Sequence, residues 1–297
     1  MRIAIHSATT NVGSVEDVVS EVRRAAEDGL GGYWAPMLGG QDTLTTLALA
    51  GREVGGIELG TAVVPMPLRS PFALAQQVRT VQEVVGGRFV LGVGTSHESL
   101  TRDLFGQSWR APLETARTCL EQLREILSGT GARGLAGPAV QPTEIVLGAV
   151  NPAMIRLAVE LADGLVTWSV AEATIGTLVR NAVRAADREG AFRVVVALPL
   201  SVTDDPDGVR ELIQARLGGN DQHPSYRRVL DREGVRGVAE LSVVGSAAQV
   251  RDRIAGFAEL GVTDFAAHVV GADQADIQRT REVLAALSSE HALAEPR

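Results

Sequence analysis

The chain contains no lysine: all 28 of its basic residues are arginine. Chemistry that needs a Schiff-base lysine, a P-loop lysine or a side-chain amine base is therefore excluded. Cysteine is almost as scarce. Cys119 stands alone, which rules out an intramolecular disulfide and a cysteine zinc cluster. It falls inside the helical pattern LETARTCLEQLREIL, where a small buried hydrophobe is expected rather than a nucleophile. A basic excess is missing too. The net charge of −8 argues against a partner held by phosphate neutralisation, so no nucleic acid is expected. No apolar run approaches the roughly 20 residues of a membrane span, and Met1 leads straight into RIAIHS without a basic-then-apolar leader. The expectation is a soluble, cytoplasmic protein with no membrane partner. GVGTSH lacks the third glycine of a dinucleotide fingerprint, and no Gly-x-Ser-x-Gly elbow occurs.

What is present is a rhythm. Apolar strand patterns (RIAIHS, GGYWAP, IELGTAVVP, RFVLGVG, EIVLGAV, LVTWS, FRVVVALPLSV, TDFAAHVVG) alternate with helical ones. Caps mark the helix starts: Ser14 before VEDVVSEVRRAAEDG, and Ser70 followed by Pro71. A Gly/Pro-rich connector spans Gly129 to Thr143, and a long helical and irregular stretch runs from about Asp205 to Leu241. Strands that are apolar throughout, rather than two-faced, belong to a parallel sheet covered by helices. Eight such units in 297 residues fit one closed (β/α)8 barrel, a single domain over 1–297.

In such a barrel, ligands bind where the strand carboxyl ends open into loops. GGRFVLGVGTSH empties into that mouth at Thr95, Ser96 and His97. Gly92 and Gly94 either let a flat ligand approach the backbone or relieve tight packing within the barrel. His6 and His268 also sit at strand ends. No His-x-His pair, Glu-x-x-His element or strand-end carboxylate accompanies them, so no metal site is expected. His223 and His291 lie in irregular or terminal segments and are expected to be solvated. NPAMIRLAVELADG starts a helix after the fifth strand, with Asn151 placed to cap and Pro152 at the first position. Its free first-turn amides suit an anion.

The stretch ELGTAVVPMPLRSPFALAQQVRTVQEVVGGRFVLGVGTSH, with LAVELADGLVTW and VVGSAAQVRDRIAGFAELGVTDF after it, resembles the luciferase-like flavin and deazaflavin oxidoreductases. The resemblance covers nearly the whole chain and is closest to the actinobacterial branch that uses the deazaflavin coenzyme F-420, itself similar to methylenetetrahydromethanopterin reductase. It implies a luciferase-like (β/α)8 TIM barrel with the cofactor ring across the strand mouth. It also implies a non-proline cis peptide after the third strand, here at Ala62–Val63, and ring contacts from Thr95, Ser96 and His97. Ala149, Val150, Asn151 and Pro152 would take the phosphate or ribityl chain, joined by Thr167, Trp168 and Ser169. Relatives often carry a basic residue after the sixth strand. Ala171 and Glu172 stand there instead, which leaves helix amides or an arginine such as Arg69 for the anionic tail.

The implied activity is hydride transfer between reduced F-420 and a small organic substrate, with His97 or His6 as proton donor. The alternatives are a reduced-FMN monooxygenase and a barrel that binds cofactor without turnover. A homodimer is expected through the helices TLTTLALAG and FALAQQVRTVQ.

Overall fold

The computed structural model describes residues 1–129, 134–137 and 139–294. The Gly/Pro-rich connector lies outside the described residues at 130–133 and 138, and the side chain of His291 lies outside them as well. Eight parallel strands form the core: β1 (Arg2–His6), β2 (Gly32–Ala35), β3 (Glu58–Thr61), β4 (Phe89–Gly94), β5 (Glu144–Gly148), β6 (Gly164–Trp168), β7 (Arg193–Val202) and β8 (Asp264–Val269). They pair in chain order, and β8 pairs with both β7 and β1, so the sheet closes on itself. This is the (β/α)8 barrel that the strand alternation predicts.

Helices cover the outside: α1 (Val15–Glu27), α2 (Thr43–Glu53), α3 (Pro71–Val84), α4 (Pro112–Ser128) and α5 (Pro152–Leu161) in the first half. α6 is a composite of Glu172–Thr174, a π-helical Ile175–Val179 and Arg180–Ala185. α7 (Pro206–Leu217), α8 (Pro224–Glu233), α9 (Ala247–Glu259) and α10 (Gln274–Ala294) follow in the second half. The caps fall where the sequence places them. Ser14 and Asp17 form a reciprocal capping box, and Ser70 accepts from the Ala73 amide.

Two apolar layers result from strands buried on both faces. One lies between sheet and helices. The other fills the barrel interior with small and branched side chains around Trp34, among them Ala4, Val90, Val166 and Ala266. Trp34 is large enough to need a glycine opposite: a Cβ on Gly60 would lie 2.4 Å from its ring. The amino end of the barrel is closed by Arg193, whose guanidinium sits 5.2 Å from the Trp34 ring centre. It bonds Asp264 at 2.6 and 3.0 Å, Glu144 at 2.9 Å, and Glu58. A buried cation needs this many acceptors to offset its lost hydration. The opposite, carboxyl end is left open, and that is where the chemistry-bearing side chains collect.

The expected third strand, IELGTAVVP, is interrupted. β3 stops at Thr61, the Ala62–Val63 peptide is cis, and the chain rejoins the sheet as a short strand, Val64–Pro65, paired with β4 through Val64 and Val93.

Candidate functional site

A cavity of about 410 Å³ opens at the carboxyl ends of the strands. His6 comes from β1, Ala62 and Val63 from the cis bulge, and Thr95, Ser96 and His97 from the loop after β4. Ala149, Val150 and Asn151 come from the β5 turn, and Thr167 and Trp168 from β6. Two of the residues singled out from the sequence are placed elsewhere. Ser169 is buried at the end of β6 but does not line the cavity. Pro152, at the first position of α5, faces an outer groove with Ile155 and Arg156.

Of the glycines of GVG, Gly94 lines the cavity and Gly92 does not. A Cβ on Gly92 would lie 1.8 Å from the Thr61 carbonyl oxygen, and one on Gly94 would lie 2.7 Å from a Val63 methyl. The close approach is made by the protein's own bulge. Val63 seats against Gly94 and Gly148, and that packing holds the Ala62–Val63 wall in the cavity. Tight packing accounts for Gly92, while Gly94 packs on Val63 and also borders the cavity.

Polar geometry at the strand ends is specialised. Ser96 and Ser169 both have left-handed backbone, with φ of 65° and 53°. Such non-glycine positions concentrate at functional sites. Asn151 is the N-cap residue of α5 yet makes no side-chain capping bond, and its buried Oδ1 has no hydrogen-bond partner among the described residues. The Ser169 hydroxyl is likewise buried and unpartnered among them. Buried oxygens in this state call for a donor from a bound molecule or water. The hydroxyls of a ribityl chain have that chemistry, and Asn151, which lines the cavity, fits the group that the resemblance implies.

His97 stacks on His223 with ring centres 4.6 Å apart and meets Tyr226 at 5.2 Å. Burial, and then the neighbouring His223, pull the His97 imidazole down to about 4. His6 stacks on Trp168 at 4.8 Å and is pulled down to about 3 by burial and by His268. Both rings are neutral at pH 7. Tyr226, beside His97, is pushed above its ordinary range by desolvation.

His223 is therefore not a solvated bystander; it lines the cavity. So do Ser225, Tyr226 and Arg228, all from α8 or its approach. The sequence reading passed over this stretch because nothing in DQHPSYRRVL marks it as lying above a barrel mouth. The aromatic and cationic density of HPSYRR was the available signal. Arg69 is not at the site. Its guanidinium is taken by Asp42 and the Met37 sulfur. Arg228 is the arginine at the cavity rim, and no carboxylate partner for it is present among the described residues.

After β6, an internal acid takes the amides. Glu233, the last residue of α8, accepts from Ala171, Ala173 and Thr174 at 3.2, 3.0 and 2.9 Å. Glu172 is bound by Arg253 at 2.7 Å. No group of three or more histidine, cysteine or acidic side chains able to hold a metal exists among the described residues. The Cys119 thiol is buried and raised to about 11, far from nucleophilic. No described helix is long and apolar enough to cross a membrane.

Comparison with known proteins sets this geometry in context. The profile of the family described as luciferase-like monooxygenase matches residues 2–264. A Mycobacterium tuberculosis protein named as a coenzyme F-420-dependent oxidoreductase is 30% identical over 171 residues, 49% of each chain. The 5,10-methylenetetrahydromethanopterin reductase of Archaeoglobus fulgidus is 30% identical over 220 residues, 66% of this chain and 64% of that one. The matched region thus spans about half to two thirds of these curated relatives. The coenzyme F-420-dependent tetrahydromethanopterin reductase of Methanopyrus kandleri superposes with a TM-score of 0.77 at 18% identity, covering 98% of this chain and 99% of that one.

Proposed function

The chain belongs to the luciferase-like monooxygenase family, and we propose that it is an F-420-dependent oxidoreductase working as one barrel domain. The observation that carries this reading is the cavity. It combines an apolar wall at Ala62–Val63, an aromatic flank at Trp168, an unpartnered buried oxygen on Asn151, and a cation at the rim, Arg228. Among the described residues no group of three or more histidine, cysteine or acidic side chains could hold a metal, and Cys119 is buried away from the cavity. Relatives named as F-420-dependent support the choice of cofactor.

When bound, the deazaflavin supplies or accepts a hydride at a small organic partner, such as an imine, enone or pterin-like carbon. The residues of this chain supply the rest. Ala62 and Val63 would back the ring, Asn151 would receive the hydroxyls of the chain, and the first-turn amides of α5 with the Arg228 guanidinium would hold its anionic end. His6 and His97, which line the cavity, would serve the reacting atoms as neutral N–H donors. The same reading includes a homodimer through α2 and α3, whose outer faces expose Leu49 and Phe72.

Fluorescence titration of the purified protein with F-420 and with FMN tests this reading. Binding of F-420 at least about ten-fold tighter is expected, a difference of about 1.4 kcal/mol. Equal affinities, or protein that purifies with FMN, would favour the reduced-FMN monooxygenase.

A further inference from the structure

His6 ends β1, and His268 lies near the end of the adjacent β8, with Ile5 and Ala267 in register between them. Two contacts define how their rings face each other. The His268 Nδ1 lies 3.2 Å from the His6 carbonyl oxygen. It also lies 3.3 Å from the His6 Nδ1.

A carbonyl oxygen can only accept, so the first contact requires the His268 proton on Nδ1. That N–H then confronts the Nδ1 of His6. Were the His6 Nδ1 also protonated, two N–H groups would face each other with no acceptor between them. The His6 Nδ1 must carry the lone pair, and a neutral ring then holds its one proton on Nε2. The pair is fixed in place: Trp168 stacks on His6 and meets His268 edge-on at 5.4 Å.

Neutrality follows from the surroundings. Burial, together with His268, keeps the His6 ring from charging, and burial lowers His268 as well. The carboxylate that acts on His268 is Glu21, which pulls the other way. Its Oε2 is already occupied by the Ser7 hydroxyl at 2.7 Å and the Tyr33 hydroxyl at 2.8 Å.

We propose that His268 is a positioning residue: its Nδ1–H fixes His6 as the Nε2–H tautomer, so that the end of β1 presents a neutral N–H donor to the cavity. In the activity proposed above, on which this role rests, that donor serves the substrate atom that gains negative charge as hydride is added. A preorganised neutral imidazole suits the task, because it can bond a developing anion without needing protonation at pH 7. His268 itself does not line the cavity. It acts through His6.

The test needs no cofactor. Long-range proton–nitrogen spectra of protein carrying nitrogen-15 histidine, at pH 7, report the tautomer of each ring. The wild-type protein is expected to show His6 with its proton on Nε2 and His268 with its proton on Nδ1. His268→Asn retains a side-chain N–H near the Nδ1 position and should keep His6 in the Nε2–H form. His268→Phe removes the donor while filling the space, and His6 should then shift toward a mixture of tautomers. A merely structural role for His268 would leave the His6 tautomer unchanged in the Phe variant. His6 found as Nδ1–H or as imidazolium in the wild type, or an unchanged His6 pattern in His268→Phe, overturns the inference. Should the Phe variant fail to fold, the wild-type and Asn spectra still decide. Failure to bind F-420 would instead remove the proposed activity and leave the tautomer result standing.

Discussion

Thr61 and Gly92 hold each other through one hydroxyl: the Thr61 Oγ1 donates to the Gly92 carbonyl at 2.8 Å and accepts from the Gly92 amide at 2.8 Å. The ladder between β3 and β4 runs only through Leu59–Phe89 and Gly60–Val90. Where the chain leaves the sheet for the cis bulge, this side chain replaces the missing main-chain partners. Thr61→Val keeps the shape and removes both bonds, exposing two buried polar groups to an apolar neighbour. A loss of about 2–4 kcal/mol is expected in denaturant unfolding. Gly92→Ala places a Cβ 1.8 Å from the Thr61 carbonyl and cannot be accommodated without moving the bulge. It should fail to fold, or fold with the cavity wall displaced and cofactor binding abolished.

The anchoring of α8 by Glu233 predicts a local effect. Three amides at the start of α6 share one carboxylate, which also meets the positive end of the α6 dipole. Glu233→Ala should cost about 1–2 kcal/mol. It should also raise deuterium uptake selectively in 218–233, the segment that carries His223, Tyr226 and Arg228. Uptake that rises evenly over the barrel, or not at all, would show that α8 is held by other contacts.

Legibility in the sequence followed the length scale of each constraint. Strand and helix periodicity and caps depend on neighbours within a few turns, and RIAIHS, RFVLGVG and SPFALAQQV state them openly. The position of the cis peptide came with the family pattern LGTAVVP. The role of Gly92 did not, because the obstructing atom belongs to Thr61, on another strand. His223 and Arg228 were missed for a similar reason. Their place above the mouth depends on Glu233 finding amides about sixty residues earlier in the chain. Charge alone could not identify the arginine that reaches the site. Arg69 and Arg228 look alike in sequence, and only Asp42 distinguishes them.

Acid should weaken the fold through His6 and His97. Their folded values, about 3 and about 4, lie below the ordinary value near 6.5. The unfolded chain therefore binds protons first as pH falls. Their contribution is intact above pH ~6.5 and drains away as pH drops toward the folded values, at up to about 1.4 kcal/mol per unit and per ring. Denaturant midpoints at pH 7 and pH 5 should show the decline. A variant with both rings replaced by Asn should show a clearly flatter profile, and an equal slope in the two proteins would place the acid sensitivity elsewhere.

His97 separates chemistry from binding. With its ring stacked on His223 in the cavity wall, His97→Ala removes an N–H donor without touching Asn151, Ser169 or the Ala62–Val63 wall. If His97 serves the reacting atom, turnover should fall by roughly 10²–10⁴-fold with little change in F-420 affinity. An unchanged rate of oxidation of the reduced deazaflavin by a working acceptor assigns the donor role to His6 alone.

Arg228 offers the sharpest test of how the anionic tail is held. The amides after β6 are claimed by Glu233, and Arg69 is claimed by Asp42, so neither can pair with a phosphate without breaking an existing contact. Arg228 lines the cavity rim and can form charge-assisted, bidentate bonds to a phosphate. Because its side chain is exposed, the gain is modest. Arg228→Ala should weaken F-420 by about 5–10-fold, or ~1–1.4 kcal/mol, at low salt. The difference should shrink as ionic strength rises and the Debye length falls below about 8 Å. A deazaflavin lacking the phosphate and tail should bind wild type and variant alike, since the ring and hydroxyl contacts are untouched. Equal weakening of both ligands would mean that Arg228 shapes the cavity mouth rather than pairing with the tail, and Arg228→Gln, which keeps much of the bulk without the charge, would then restore binding.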